Sequence, residues 1–192
     1  MHRRTLLKGM AAFASGAAVA RFAHADQFLK DIAGLKPGQF TWHPERSPKG
    51  NVAIIVSIPE QRVHVYRNGI RIGVSTCSTG RKGHETPTGV FTILQKDKDH
   101  RSSTYNNAPM PNMNRLTWSG VALHAGNLPG YPASHGCVRL PIKFSELLFS
   151  TTHVGTPVIL AGSHAEPREV VHPGLILTHA ANAEFATVKK TL

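Results

Sequence analysis

The sequence predicts a mainly β domain with short helices, and three observations carry that expectation. Val52 to Ile58 is a continuous run dominated by β-branched residues, the pattern of a buried strand. Gln61 to Tyr66 alternates polar and apolar residues and runs into Asn68-Gly69, a pair that tolerates positive φ and marks a tight hairpin. Ile70, Ile72 and Val74 then resume the alternation on the return strand.

The remaining elements follow in order. Residues 26–50 hold Pro37, Gly38, Pro44, Pro48 and Gly50 and read as a short helix or turn followed by an irregular lead-in. Thr79-Gly80-Arg81-Lys82-Gly83 and Thr86-Pro87-Thr88-Gly89 read as turns, and Val90 to Leu94 as a strand. Residues 95–116 are polar, rich in Asn and Pro, and too long for an ordinary connection, which marks a functional loop. Thr117 to His124 returns to strand character. Pro141 is placed to open a helix running to about Ser150, because the missing N–H of proline costs nothing in a first turn. Val158 to Ala161 closes the β pattern, and the tail 162–192 shows only a helical stretch at 178–189. The organisation expected is therefore a leader over 1–25, a lead-in over 26–50, a main β domain over 51–161 and a tail over 162–192.

Residues 1–25 have the character of an export signal. Arg3-Arg4 precede an uncharged stretch of small residues from Gly9 to Ala20, and Ala23-His24-Ala25 offers a small-x-small cleavage site. The twin arginines followed by Leu6-Leu7-Lys8 resemble a twin-arginine signal, implying a periplasmic location. The chain carries 22 Lys+Arg against 11 Asp+Glu. Removing the leader takes four of those 22 basic residues and no acidic one, leaving 18 against 11. The basic residues are scattered in ones and twos, a solvated surface and not a nucleic-acid stripe. Two cysteines exclude a disulfide framework and a four-cysteine zinc site. No apolar run reaches the roughly 18–20 residues of a membrane span, so no integral segment is expected once the signal is removed.

One stretch carries chemistry. His124 ends a predicted strand, and Ser134-His135-Gly136-Cys137-Val138-Arg139-Leu140 follows after a short loop. A cysteine attacks as its thiolate and so needs a basic group and a polar, accessible setting. Cys137 sits behind residues that suit a turn, and Gly136 lets the backbone bend so that amides face a developing oxyanion. Two other readings stand beside this one. Cys137 is an inert small apolar residue, or His124, His135 and Cys137 ligate zinc, although no carboxylate base accompanies them.

These residues resemble the active-site signature of the L,D-transpeptidases, the YkuD-like catalytic domain. The hairpin at Asn68-Gly69, Ser78-Thr79-Gly80 and Thr86-Pro87-Thr88-Gly89-Val90-Phe91 fit it as well, so the resemblance runs from about Asn51 to Ala161. It implies a β-sandwich-like domain and an enzyme acting on peptidoglycan stem peptides without a metal or organic cofactor. It assigns Cys137 as nucleophile and His124 as general base, with His135, Gly136 and Ala125 shaping the oxyanion pocket or orienting the base. Arg139 and Ser134 would contact substrate. Two features depart from the pattern. The loop between His124 and Ser134 is short, and Ala125 stands where a polar residue is frequent, so it would orient the imidazole only through its carbonyl. The reaction implied is transfer of a tetrapeptide stem through a thioester to an amine. Alternatives on the same fold are an L,D-carboxypeptidase, a lipoprotein-attaching or -detaching enzyme, and a non-catalytic wall-binding module, whose mark would be loss of Cys137 or His124.

Other residues carry weaker expectations. Cys77 falls in a predicted strand and is expected to be buried, although an exported chain permits a Cys77–Cys137 disulfide. Trp118 is expected in the core in preference to serving as a substrate platform. Tyr105, Met110 and Met113 either line a groove or cap the core. The remaining histidines are dispersed without ligand spacing.

Overall fold

The computed structural model describes residues 34–163; the proposed signal, most of the 162–192 tail and the expected helix at 178–189 lie outside the described residues. Two β-sheets and one helix make up the fold. The first sheet has six strands in the order β1-β4-β3-β2-β10-β5: β1 Phe40–Trp42, β2 Val52–Ser57, β3 Arg62–Arg67, β4 Ile70–Thr76, β5 Gly89–Thr92 and β10 Pro157–Ala161. The second has four, in the order β6-β7-β8-β9: β6 Gln95–Asp97, β7 Met113–Arg115, β8 Ala122–Ala125 and β9 Val138–Leu140. Helix α1, Ile142–Thr151, follows β9 directly.

The hairpin between β3 and β4 turns through Asn68 and Gly69, at φ +50° and +80°, with Arg67 opposite Ile70. This is the two-residue loop that the Asn-Gly pair favours. One apolar core draws on both sheets. Val52, Ile54 and Val56 of β2, Val63 and Val65 of β3 and Val158 and Leu160 of β10 meet Leu123 of β8, Val138 and Leu140 of β9, and Phe144 and Leu148 of α1. The alternation visible in β3 is the packing pattern: every second residue enters this core. Phe144 is fully buried under Phe40 and Trp42, at ring separations of 5.5 and 5.6 Å. Truncating such a residue to alanine costs about 3–5 kcal/mol.

Several elements differ from the sequence expectation. The lead-in is not irregular: Phe40–Trp42 forms a strand antiparallel to β4, followed by a short 3₁₀ turn at Pro44–Arg46. Three residues are too few to display a period, and the strand exists because its aromatics close one end of the core. Gly73 opposite Trp42 admits it, since a Cβ there would lie 2.5 Å from the indole. Residues 95–116 are not all loop, because their ends form β6 and β7. The strand expected over Thr117–His124 begins only at Ala122, since Thr117 to Gly120 make a turn in which Gly120 N–H donates to the Thr117 carbonyl. Cys77 lies one residue beyond β4 and is buried. Among the described residues no helix is long and apolar enough to cross a membrane.

Candidate active site

The second sheet sorts its residues by alternation. Leu123 pairs with Val138 and Ala125 with Leu140 across the parallel β8–β9 ladder, all buried, with Leu123, Val138 and Leu140 inside the core. The intervening His124, paired with Arg139, therefore emerges on the opposite face. Cys137, immediately before β9, shares that face and packs against Ala122, Met110 and Met113. A cavity of about 710 Å³ opens there, lined by Cys137, His124, His135, Arg139, Ser134 and Ala125 among others. The fold thus brings six of the seven sequence-predicted residues together around one space, and Gly136, in the turn between His135 and Cys137, is not among the lining residues.

The turn that presents Cys137 is held from two sides. Ser134 Oγ donates to the Cys137 carbonyl at 2.5 Å and accepts from Gly136 N–H at 3.1 Å. Thr86 Oγ1 donates to the Gly136 carbonyl at 2.9 Å and accepts from Gly80 N–H at 2.8 Å. Gly136 has φ +108°, a conformation that strains any L side chain. Gly80 is equally constrained, because a Cβ would strike the His84 carbonyl. Ser134 is 1% exposed and its hydroxyl is committed to the turn, so its direct geometric contribution is to hold the loop.

His124 Nδ1 lies 2.7 Å from the Ala125 carbonyl. A carbonyl only accepts, so Nδ1 carries the proton and Nε2 keeps its lone pair. Burial drives the His124 pKa down to about 4; the bond to Ala125 opposes this, and the Arg139 and His100 charges add to it. The imidazole is accordingly neutral at neutral pH. Burial also raises the Cys137 thiol above its ordinary value, while the Ala122 backbone and the Arg139 and Arg115 charges pull it down. The Sγ sits 3.3 Å from the Gly120 carbonyl. The resting pair is a neutral thiol and a neutral imidazole.

His135 behaves differently. Its exposed ring accepts from Arg81 Nη2 at 3.0 Å and stacks against His84 and Tyr105 at 4.8 and 4.6 Å. Partial desolvation lowers its pKa, with the Arg81 and His84 charges acting the same way. Tyr105 belongs to the 98–112 segment, a folded flap in which Asn106 and Asn107 take positive φ and Met110 N–H returns to the His100 carbonyl. That flap forms one wall of the cavity, while Met110 and Met113 form its buried floor.

Both cysteines are free thiols. Among the described residues no three His, Cys, Asp or Glu side chains gather as a metal site. Trp118 is a correction: it is 74% exposed, on the turn that carries Gly120 past Cys137. That turn precedes β8, so its side chain never reaches the core. Sequence reasoning missed Thr86, Gly120, Arg115 and Gly126. Gly126 has no Cβ because one would lie 2.9 Å from the Arg139 side chain crossing it. Thr86 sat within a recognised motif, but its link to Gly136 spans fifty residues.

The comparisons with known proteins bear on the fold and the family. The profile of the L,D-transpeptidase catalytic domain (YkuD) matches residues 51–160. A curated relative, probable L,D-transpeptidase 3 of Mycobacterium tuberculosis, is 28% identical over 118 residues, which cover 53% of this chain and 42% of the relative. The chain thus spans less than half of that relative's length. An L,D-transpeptidase structure from Stackebrandtia nassauensis superposes with a TM-score of 0.55 at 26% identity, covering 60% of this chain and 58% of the other. One from Mycobacterium tuberculosis H37Rv gives 0.55 at 25% identity over 58% and 57% of the two chains. With a mainly β fold in two sheets and a domain match over more than half its length, this chain belongs to the L,D-transpeptidase catalytic domain family.

Proposed function

We propose that the chain is a cysteine L,D-transpeptidase of peptidoglycan. The observation that carries this reading is the placement of Cys137 and His124 on one sheet face in one cavity, with Nδ1 of His124 tied to Ala125 and Nε2 left to take a proton. In the first half-reaction His124 Nε2 takes the thiol proton as Sγ attacks the carbonyl of an L-configured residue in a tetrapeptide stem. Backbone amides of the 135–137 turn receive the oxyanion. The Gly136 amide already donates to Ser134, which leaves the His135 and Cys137 amides for that role. Collapse breaks the peptide bond, the leaving D-amino acid takes its proton from His124, and a thioester remains. In the second half-reaction an amine of another stem loses a proton to His124 and attacks the thioester, expelling the thiolate. Arg139, lining the cavity beside this site, holds a peptide carboxylate. No step calls for a cofactor.

The test is incubation with tetrapeptide-bearing wall fragments and identification of products by mass. Cross-linked stems and release of a D-amino acid are expected, with a thioester adduct on Cys137 and loss of both in Cys137→Ser. Labelling of Cys77 alone accompanied by complete loss of activity would overturn the assignment. Shortened stems without cross-links would identify water as acceptor, and attachment to a protein amine would identify a lipoprotein acceptor.

We propose further that residues 1–25 direct the chain to the periplasm by the twin-arginine route. Replacing Arg3 and Arg4 together with lysine is expected to leave precursor inside the cell. Normal export of that variant would favour the general secretion route.

A further inference from the structure

The antiparallel β7–β8 pair becomes irregular where it meets the flap. Asn114 stands opposite Leu123 and Arg115 opposite Ala122, so an unbroken ladder would set Asn112 opposite Ala125. Instead the Ala125 N–H donates to the Pro111 carbonyl at 2.8 Å, one residue further back along the chain. Asn112 is the extra residue of a bulge, and its φ of +57° is a left-handed conformation that asparagine tolerates. Its carbonyl, removed from the ladder, accepts from Asn114 Nδ2 at 3.3 Å. Its N–H donates to the Lys98 carbonyl at 2.8 Å and closes the root of the flap.

The Asn112 side chain fixes this bulge to the helix. It is 5% exposed, and its Nδ2 donates at 3.0 Å to Ser145 Oγ, itself 1% exposed in the first turn of α1. The Ser145 hydroxyl sends its own proton to the Ile142 carbonyl at 2.7 Å and so is free to accept. Asn112 does not line the cavity, although Met110, Pro111 and Met113 beside it do. What it reaches is His124. The Pro111 carbonyl holds Ala125 N–H on one flank, and the Leu140 carbonyl holds Gly126 N–H at 3.0 Å on the other. Between these two anchors the Ala125 carbonyl is aimed at His124 Nδ1, 2.7 Å away. A carbonyl that swung aside would let the imidazole carry its proton on Nε2 instead, where it can no longer accept one.

We propose that Asn112 is a positioning residue for His124, acting through the bulge that brings the Pro111 carbonyl onto Ala125. The inference rests on the acyl-transfer reading above, in which His124 presents a bare Nε2 to the thiol. The tie to Ser145 holds the left-handed turn, the turn joins the Pro111 and Ala125 backbones, and the Ala125 carbonyl keeps the imidazole proton on Nδ1. Asparagine meets both demands of the position, a left-handed backbone and a side-chain donor. Glycine supplies only the first. Because Asn112 lies outside the cavity, its effect falls on the tautomer of the base and not on ligand binding.

The experiment uses the full chain with Asn112→Gly, Ser145→Ala and the double variant. Glycine keeps the left-handed backbone and removes the tie, while alanine removes its acceptor from the helix side. Long-range proton–nitrogen NMR correlations of the imidazoles at neutral pH report the tautomer, with the His124 signals assigned by their absence from His124→Gln. Wild-type His124 is expected as the Nδ1–H form, and each single variant as a mixture that gains the Nε2–H form. With a tetrapeptide stem, kcat for thioester formation should fall about 3- to 10-fold in each single variant, the effect of losing one buried hydrogen bond, with KM held within about twofold. Alkylation of Cys137 at neutral pH, which needs no substrate, should slow by a similar factor. The double variant should fall no further than the worse single one, because both remove the same bond. A variant that loses Tm but keeps the wild-type tautomer and alkylation profile gives Asn112 a purely structural role and overturns the inference, as does a change confined to KM. If Asn112→Gly does not fold, Ser145→Ala decides by the same readouts. Wild-type protein that forms no thioester overturns the acyl-transfer reading, whereas wild-type His124 already in the Nε2–H form overturns this inference whatever the thioester assay gives.

Discussion

His124 and His135 lie eleven residues apart in one cavity, yet their surroundings divide their labour. His124 is buried, neutral and fixed in one tautomer by a backbone carbonyl, whereas His135 is exposed and engaged with Arg81 and Tyr105. Removing a proton acceptor raises the energy of the thiolate; removing a ring stacked on the flap loosens the wall. His124→Ala is therefore expected to slow alkylation of Cys137 at neutral pH and shift its pH profile upward. His135→Ala should also impair transfer, with a smaller shift in that profile. Alkylation rate against pH for both variants decides between them, and a large shift in His135→Ala with none in His124→Ala would exchange their roles. Cys77 should stay unlabelled throughout, because burial raises its thiol well above the ordinary range and closes it to reagent.

At the level of elements, the turn that carries Cys137 depends on a segment fifty residues away. Thr86 is 5% exposed and its hydroxyl bridges Gly80 N–H and the Gly136 carbonyl. Thr86→Val keeps the shape and removes both bonds, leaving two backbone groups unpaired at about 1–3 kcal/mol each. A fall in Tm and a larger fall in kcat are expected, with both restored in Thr86→Ser. Unchanged Tm and kcat in Thr86→Val would show that Ser134 alone holds the turn. The same dependence explains Gly80, whose backbone is pressed against that of His84 to Thr86. The β8–β9 ladder performs the complementary task. Its period of two turns the apolar residues inward and sets His124, Cys137 and Arg139 on the cavity side.

Across the whole molecule, two buried histidines make stability depend on pH. Burial brings His64 and His124 each to about 4 from an ordinary 6.5, aided by the Arg71 charge on His64 and the Arg139 charge on His124. Between those values the unfolded chain binds more protons than the folded one, so stability rises with pH through that window and is lost as pH falls from about 6.5 to about 4. Each histidine accounts for up to about 3 kcal/mol. Unfolding midpoints should be nearly level from pH 8 to 7 and drop steeply by pH 4.5, and His124→Asn should flatten part of that slope. A midpoint independent of pH across the window would mean that both rings are hydrated in solution.

Local pattern determined much of this protein. The β class, the Asn68-Gly69 hairpin, the helix after Pro141 and the membership of Cys137 and His124 in one motif are all readable from the chain, because each depends on neighbouring residues. Other features depend on partners distant in sequence and became visible only in the folded molecule. Phe40–Trp42 is a strand because Gly73 and Phe144 accept its aromatics, not because three residues show a period. Trp118 is exposed because β8 begins later than its apolar run suggests. Arg115 lines the cavity beside Cys137 because antiparallel pairing sets it opposite Ala122, a relation that composition and spacing do not encode. Chemical identity is local, whereas which groups share a cavity and which face water are set by strand register.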